Sequence, residues 1–340
     1  MHMADALLSP AVGGVMCAVS AGAVAFSAAK IKKNSLDEKK IPMMGVMGAF
    51  VFAAQMINFT IPGTGSSGHI GGGILLAALL GEFPGLLAIT AVLLIQALFF
   101  ADGGLLALGC NVFNMGVVMC LLAYPLIFKP IVRKGLNCRR ITIASILSVV
   151  VGLQAGAFCV VLETLASGVT ELPFGAFAAL MQPIHLAIGA VEGVITAGVL
   201  CFVYQMRPEI LECANNGTAI AKKVSTKRVV AILAVLTVLV GGGLSIFASS
   251  NPDGLEWSME GVAGTAELKA EGELHETVAS VQESTAFLPD YDYKNSGEGG
   301  SSTGTTVSGL VGGAMTLVLS GAAGIVIYAV KKRKKEKVSI

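Results

Sequence analysis

Two histidines and a chain terminus give this sequence its clearest chemistry. His2 follows Met1, and His69 stands in the loop Gly63-Thr-Gly-Ser-Ser-Gly-His-Ile-Gly-Gly-Gly73. A free α-amine, the backbone amide nitrogen of His2 and the Nδ1 of its imidazole can close a five-membered and then a six-membered chelate ring around one cation. His69 would add a fourth nitrogen. An all-nitrogen, square-planar set suits nickel(II) or copper(II), with cobalt(II) a neighbour in the affinity order. The competing readings are a chance histidine at a frayed terminus for His2 and a polar cap among glycines for His69, although such glycines also let backbone approach a bound ion or the terminal segment closely.

The elements that must position these residues are apolar. The 340 residues are 54% hydrophobic and 13% charged, with mean hydropathy +0.77. The apolar residues fall in runs of roughly 20, the length that crosses a bilayer core. This predicts an all-α, polytopic integral membrane helical bundle, and the 42 glycines suit helices that must approach closely. About nine spans are expected, near residues 11–29, 42–60, 71–80, 84–101, 105–128, 141–167, 174–204, 229–248 and 308–330, the third short enough to be tilted, interfacial or re-entrant.

Loop charge sets an orientation, because Lys and Arg collect on the cytoplasmic side of short loops. Lys30, Lys32, Lys33, Lys39 and Lys40 follow the first span, and Lys129, Arg133, Lys134, Arg139 and Arg140 follow the fifth. Arg207, Lys222, Lys223, Lys227 and Arg228 follow the seventh, and Lys331-Lys-Arg-Lys-Lys335 the last. With these inside, the N-terminus and His69 share the outer face and the C-terminus is cytoplasmic, provided the short third span counts as a crossing. The first residues carry no Lys or Arg and no convincing cleavage site, so the mature chain is expected to begin at Met1. Seven cysteines without a Cys-x-x-Cys pair read as free thiols.

A composition shift near Val224 divides the chain into residues 1–223, with about seven spans, and 224–340, two spans around an outer loop at 249–307. That loop has eleven Asp/Glu against two Lys and ends in a Gly/Ser/Thr run, residues 295–306, expected to be a flexible linker. The acidic loop either raises local cation concentration or is a solvated loop with no part in capture, and its His275 is expected to be solvated.

Polar residues at membrane depth are costly unless satisfied or functional. Gln96, Asp102, Asn111 and Asn114 therefore either hold His2 or His69 in orientation or tie helices together. His185 and Glu192, two helical turns apart on one face, with Glu163 nearby, form either a proton or cation path or, as favoured here, a buried structural pair. The sequence has no Gly-x-x-x-x-Gly-Lys-Ser/Thr phosphate loop and no His-Glu-x-x-His, so the chain is expected neither to hydrolyse ATP by itself nor to be an enzyme.

Several segments resemble the NikM/CbiM family, the substrate-capture components of nickel and cobalt energy-coupling-factor transporters. They are Met1-His-Met-Ala-Asp-Ala-Leu-Leu-Ser-Pro10, Ser67-Gly-His69, Gln96-Ala-Leu-Phe-Phe-Ala-Asp-Gly-Gly104, Leu108-Gly-Cys-Asn-Val-Phe-Asn-Met-Gly116 and residues 185–193. The C-terminal part, from Ser250-Asn-Pro-Asp-Gly-Leu-Glu-Trp257, resembles the partner NikN/CbiN, so the whole resembles a fused NikMN protein. The resemblance implies that Met1, His2 and His69 bind the metal, with Asn111 and Asn114 nearby. It implies transported Ni²⁺ (Co²⁺ as alternative) and no organic cofactor. It also implies a multi-pass place in a prokaryotic cell membrane, and as partners a transmembrane coupling subunit and ATPase subunits, with membrane lipid around the chain and no nucleic acid. The start departs from the commoner Met-His-Ile-Pro-Asp-Gly pattern at Met3, Ala4 and Ala6, which leaves the chelating atoms intact. Two rivals remain: a membrane-embedded metal-dependent enzyme using His185, Glu192 and Glu163, and a passive channel, to which a tight chelate is poorly suited.

Overall fold

Long apolar runs with few internal breakers wind into helices, and the computed structural model describes residues 1–33, 38–169, 172–266, 268, 272–294 and 302–338. In chain order the helices are α1 (Pro10–Lys33), α2 (Lys40–Gln55), α3 (Gly73–Leu80), α4 (Glu82–Phe99), α5 (Leu108–Arg133), α6 (Cys138–Ser167), α7 (Phe174–Met206), α8 (Pro208–Asn216), α9 (Lys227–Gly242), α10 (Gly254–Ala263), α11 (Glu273–Thr285) and α12 (Ser302–Val338). Caps mark several ends. The Asn137 side chain accepts from Arg140 N–H at the start of α6, and left-handed Gly168 closes it.

Among the described residues, α1, α4, α5, α6, α7 and α12 are long and apolar enough to cross a membrane. The three other expected spans are shorter. Helices α2 and α9 have 16 residues each, about 24 Å at 1.5 Å per residue. Helix α3 has eight, about 12 Å against a bilayer core of about 30 Å. The expected helical span at 71–80 is therefore corrected to a short buried helix preceded by non-helical chain. Such backbone is tolerated at this depth because protein, not lipid, surrounds it: every residue of α3 is buried, and Gly72 N–H donates to Glu192 of α7 at 2.9 Å. The segment still joins the two ends of the bundle. His69 lies beside Met1, whereas Glu82, just past α3, pairs with Lys129 at 2.8 Å and shares a pocket with Lys30 and Lys40.

The all-α expectation needs one further correction. Phe59–Ile61 (β1) and Ser66–Gly68 (β2) pair antiparallel, Thr60 opposite Ser67. The turn between them uses Gly63 and Gly65 at φ +79° and +73°, a region other residues enter at a cost, and the hairpin delivers His69 to the bundle.

Helices α6 and α7 pack where glycine removes side chains: a Cβ on Gly193 would stand 2.8 Å from Ile146 Cα. Helices α9 and α12 embrace α2. Large apolar side chains such as Val15, Leu126, Val194, Val235 and Val318 face outward, a surface suited to lipid. All seven cysteines are free.

The acidic segment is not a bare loop. Helices α10 and α11 and the 3-10 turn Pro289–Tyr291 lie over the end of the bundle that holds Met1. His275, expected in solvent, is buried, its Nε2 2.9 Å from the Leu8 carbonyl. Of the expected linker, residues 295–301 fall outside the described residues, and 302–306 form the first turn and more of α12, where Gly304 packs against Asp292.

Candidate metal centre

The N-terminal residues fold back into the bundle because their backbone finds fixed partners there. Met3, fully buried, donates its N–H to Asn111 Oδ1 at 2.7 Å and accepts at its carbonyl from Asn111 Nδ2 at 3.2 Å and from Gly104 N–H at 2.9 Å. Asp5 Oδ1 accepts from Ala107 N–H at 2.9 Å. One asparagine on α5 thus acts like a strand partner for the terminus, and Leu7 and Leu8 close the apolar side.

This seating brings Met1, His2 and His69 together. The Met1 amine donates to His69 Nε2 at 3.1 Å, and the two imidazole rings stack with centroids 5.1 Å apart, 13° from parallel. His69 Nδ1 lies 3.0 Å from the Ile70 carbonyl. A carbonyl only accepts, so Nδ1 carries the hydrogen and Nε2 presents its lone pair to the amine. His2 is oriented differently. Its Nδ1 meets Asp102 Oδ1 at 3.1 Å, so chelation through Nδ1 requires the ring to turn from that carboxylate.

Gln96 lies beside the His2 ring and donates to Gln55 Oε1 at 2.8 Å and to the Tyr291 hydroxyl at 3.1 Å. Tyr291 in turn donates a short hydrogen bond to Asp102. His2 Nε2 and Gln96 Oε1 are both buried without a hydrogen-bond partner among the described residues. Asn114 sits one layer further in, donating to Glu163 Oε2 at 2.8 Å and lying 3.9 Å from Met3 Sδ. The other buried groups lie behind the centre: His185 lines a small pocket with Met1, His69 and Asp253, its Nδ1 2.8 Å from the Met181 carbonyl, and Glu192 holds the backbone of the His69 loop.

Burial, and then the neighbouring amine cation, push both imidazoles down to about 3. Both rings are neutral at physiological pH, the form a metal needs. Burial raises the Asp102 carboxyl. For Asp253 burial works the same way, but the amine cation outweighs it and holds this carboxyl well below the carboxylate range.

Asp253 is the residue the sequence reading missed. It heads α10, where its Oδ1 accepts from Leu255 and Glu256 N–H at 2.8 and 2.9 Å while Glu256 accepts from Asp253 N–H. That reciprocal cap was visible as Asp-x-x-Glu; its second oxygen, 2.6 Å from the Met1 amine, was not. Beside His2 opens a cavity of about 510 Å³ lined by Asp5, Asp102, Asp253, Glu256 and Glu276. Among the described residues no group of three or more His, Cys, Asp or Glu side chains is arranged to hold a metal, so an ion at this centre depends on main-chain nitrogen.

Fold and donors together define a helical membrane-type protein with a buried nitrogen-rich centre at one end. The chain belongs to the CbiM family, described as a cobalt uptake substrate-specific transmembrane region, which it matches over residues 2–210; residues 227–329 match the PDGLE domain. It is 34% identical over 229 residues to the fused nickel transport protein NikMN of Rhodobacter capsulatus, covering 62% of this chain and 64% of that one. It is 31% identical over 217 residues to the cobalt transport protein CbiM of Sorangium cellulosum, covering 62% and 95%. A crystal structure of a truncated transition metal transporter superposes with TM-score 0.54 at 32% identity, over 61% of this chain and 99% of that one. The family is one of nickel and cobalt transport proteins.

Proposed function

We propose that this chain captures Ni²⁺ at the outer face of a prokaryotic cell membrane, as the substrate-binding component of an energy-coupling-factor importer. Residues 1–223 form the capture part and residues 224–340 the NikN/CbiN-like part, with nine crossings that leave the N-terminus outside and the C-terminus in the cytoplasm. The ligands are the Met1 α-amine, the His2 amide nitrogen and Nδ1, and His69 Nε2. The observation that carries this reading is the 3.1 Å separation of the Met1 nitrogen and His69 Nε2. Two nitrogens each about 2.0 Å from a first-row metal and at right angles lie roughly 2.9 Å apart.

Asp102 and Gln96 steer the His2 ring, and Asn111 and Asn114 seat the segment that carries the amine. The acid-lined cavity concentrates cations beside the donors. Nickel is preferred to cobalt because nitrogen ligation at square-planar corners favours it. Release to the cytoplasm is assigned to a transmembrane coupling subunit and ATPase partners.

Elemental analysis of the purified chain tests the reading. Nickel should accompany the wild type in a 1:1 ratio and be lost from both His2→Ala and His69→Ala. Retention of stoichiometric nickel by both variants would refute it. A competition titration with Co²⁺ decides the order of the two metals.

A further inference from the structure

The end of the bundle remote from Met1 holds a cavity that the metal centre does not use. It lies where α1, α2, α4, α5 and α8 meet, and Lys30, Lys40, Lys129, Glu82 and Phe83 are among the residues that line it. Three ammonium groups thus line the space against one carboxylate. Lys40 is buried, its Nζ 3.2 Å from the Thr218 carbonyl. Lys129 is drawn to Glu82 at 2.8 Å and lies 5.4 Å from the centre of the Tyr124 ring, while Lys30 lies 5.2 Å from that of Phe26. Helix α4 starts at the same place. Its N-cap is Gly81, at φ +97°, with no side-chain cap, so the N–H groups of its first turn add positive potential to that of the lysines. A water needs about 10–15 Å³ of cavity, so the volume of about 90 Å³ accommodates the atoms of a phosphate group.

What adjoins the cavity suits a lipid better than a soluble ion. Phe26, one turn before Lys30 on α1, is 52% exposed and packs edge-on against Phe83 of the cavity wall, ring centroids 6.0 Å apart. Leu126, one turn before Lys129 on α5, is exposed as well. Apolar side chains therefore continue from the cations toward the middle of the bilayer, as acyl chains continue from a headgroup. We propose that this cavity binds the phosphodiester headgroup of an anionic phospholipid. The phosphate sits among Lys30, Lys129 and the start of α4, and the acyl chains run along Phe26 and Leu126. Basic pockets between transmembrane helices on the cytoplasmic side take such headgroups. The choice of leaflet rests on the orientation proposed above; the charge and shape of the cavity do not.

Native mass spectrometry of the detergent-solubilised full chain tests this, with phosphatidylglycerol, phosphatidylcholine and inorganic phosphate as probes. The wild type should retain one phosphatidylglycerol at least about tenfold more tightly than phosphatidylcholine, and inorganic phosphate at the same concentration should not displace it. Lys30→Gln should weaken retention about fivefold, the contribution of one basic residue at an anionic membrane surface. Glu82→Gln, which frees Lys129 for the phosphate, should strengthen it by a similar factor, with wild-type helical circular dichroism in both variants. Equal retention of the two lipids, or variants whose affinities do not move in opposite directions, would overturn the proposal. Displacement by inorganic phosphate would assign the cavity to a soluble anion and overturn the lipid. Nickel plays no part in the readout, so failure here leaves the capture reading standing.

Discussion

His2 and His69 stack ring on ring, centroids 5.1 Å apart, with the terminal amine against the second ring. Two imidazolium cations could not share that space, and burial keeps both rings unprotonated down to about pH 3. Nickel capture should therefore not be limited by imidazole protonation. Affinity should still fall as pH drops, because binding releases protons, that of the His2 amide among them. Calorimetry in buffers of different ionisation enthalpy counts them. A single titration centred at the ordinary histidine value of 6.5 would speak against this arrangement.

The same burial makes the fold acid-sensitive. Below 6.5 the unfolded chain takes up protons that the two folded rings refuse until about 3, so stability is full above 6.5 and declines across that interval. Asp253, held below its usual 3.8, adds to the loss below that pH. The apparent melting temperature in detergent should drop steadily from pH 6.5 to pH 4; an unchanged value over that range would contradict it.

Much of this was legible in the sequence, and what was not has physical causes. The long apolar helices follow from composition, and loop charge puts Met1, His2 and His69 on one face; that they meet was implied only by the family resemblance, since nothing in the residues themselves joins positions so far apart in sequence. Helix α3 could not be resolved as a broken crossing, because its eight apolar residues look the same whether lipid or protein surrounds them. The hairpin was hidden because Ser66-Ser-Gly68 has no strand propensity and is held by Pro252 and Asn251, nearly two hundred residues away. Distance in sequence also concealed the packing of His275, which read as solvated in an acidic loop.

Asp102 holds the His2 ring at Nδ1 and is itself fixed by Tyr291. That nitrogen is the one the chelate uses, so the carboxylate competes with the ion for it, and Asp102→Asn, which loosens this hold, should tighten nickel binding. Tyr291→Phe should have a smaller effect in the same direction. Equilibrium titration of the two variants measures both, and wild-type affinity in Asp102→Asn would remove Asp102 from the site.

Gly104 donates its N–H to the Met3 carbonyl, and a methyl group there would land on the Asp5 side chain and backbone nitrogen. Gly104→Ala should push the terminal segment outward and reduce nickel affinity while the helical circular dichroism stays near wild type. Proteolysis of the N-terminus should become faster. Unaltered binding would show that the segment need not sit as it does here.

The central claim is that the α-amine of Met1 is a ligand. Nickel titration of two otherwise identical proteins, one with a free Met1 and one with a single residue added before it, tests this most directly. The added residue moves the amine out of the chelate ring, so affinity should fall by at least about a hundredfold, roughly 2.7 kcal/mol. Equal affinity in the two proteins would contradict the account.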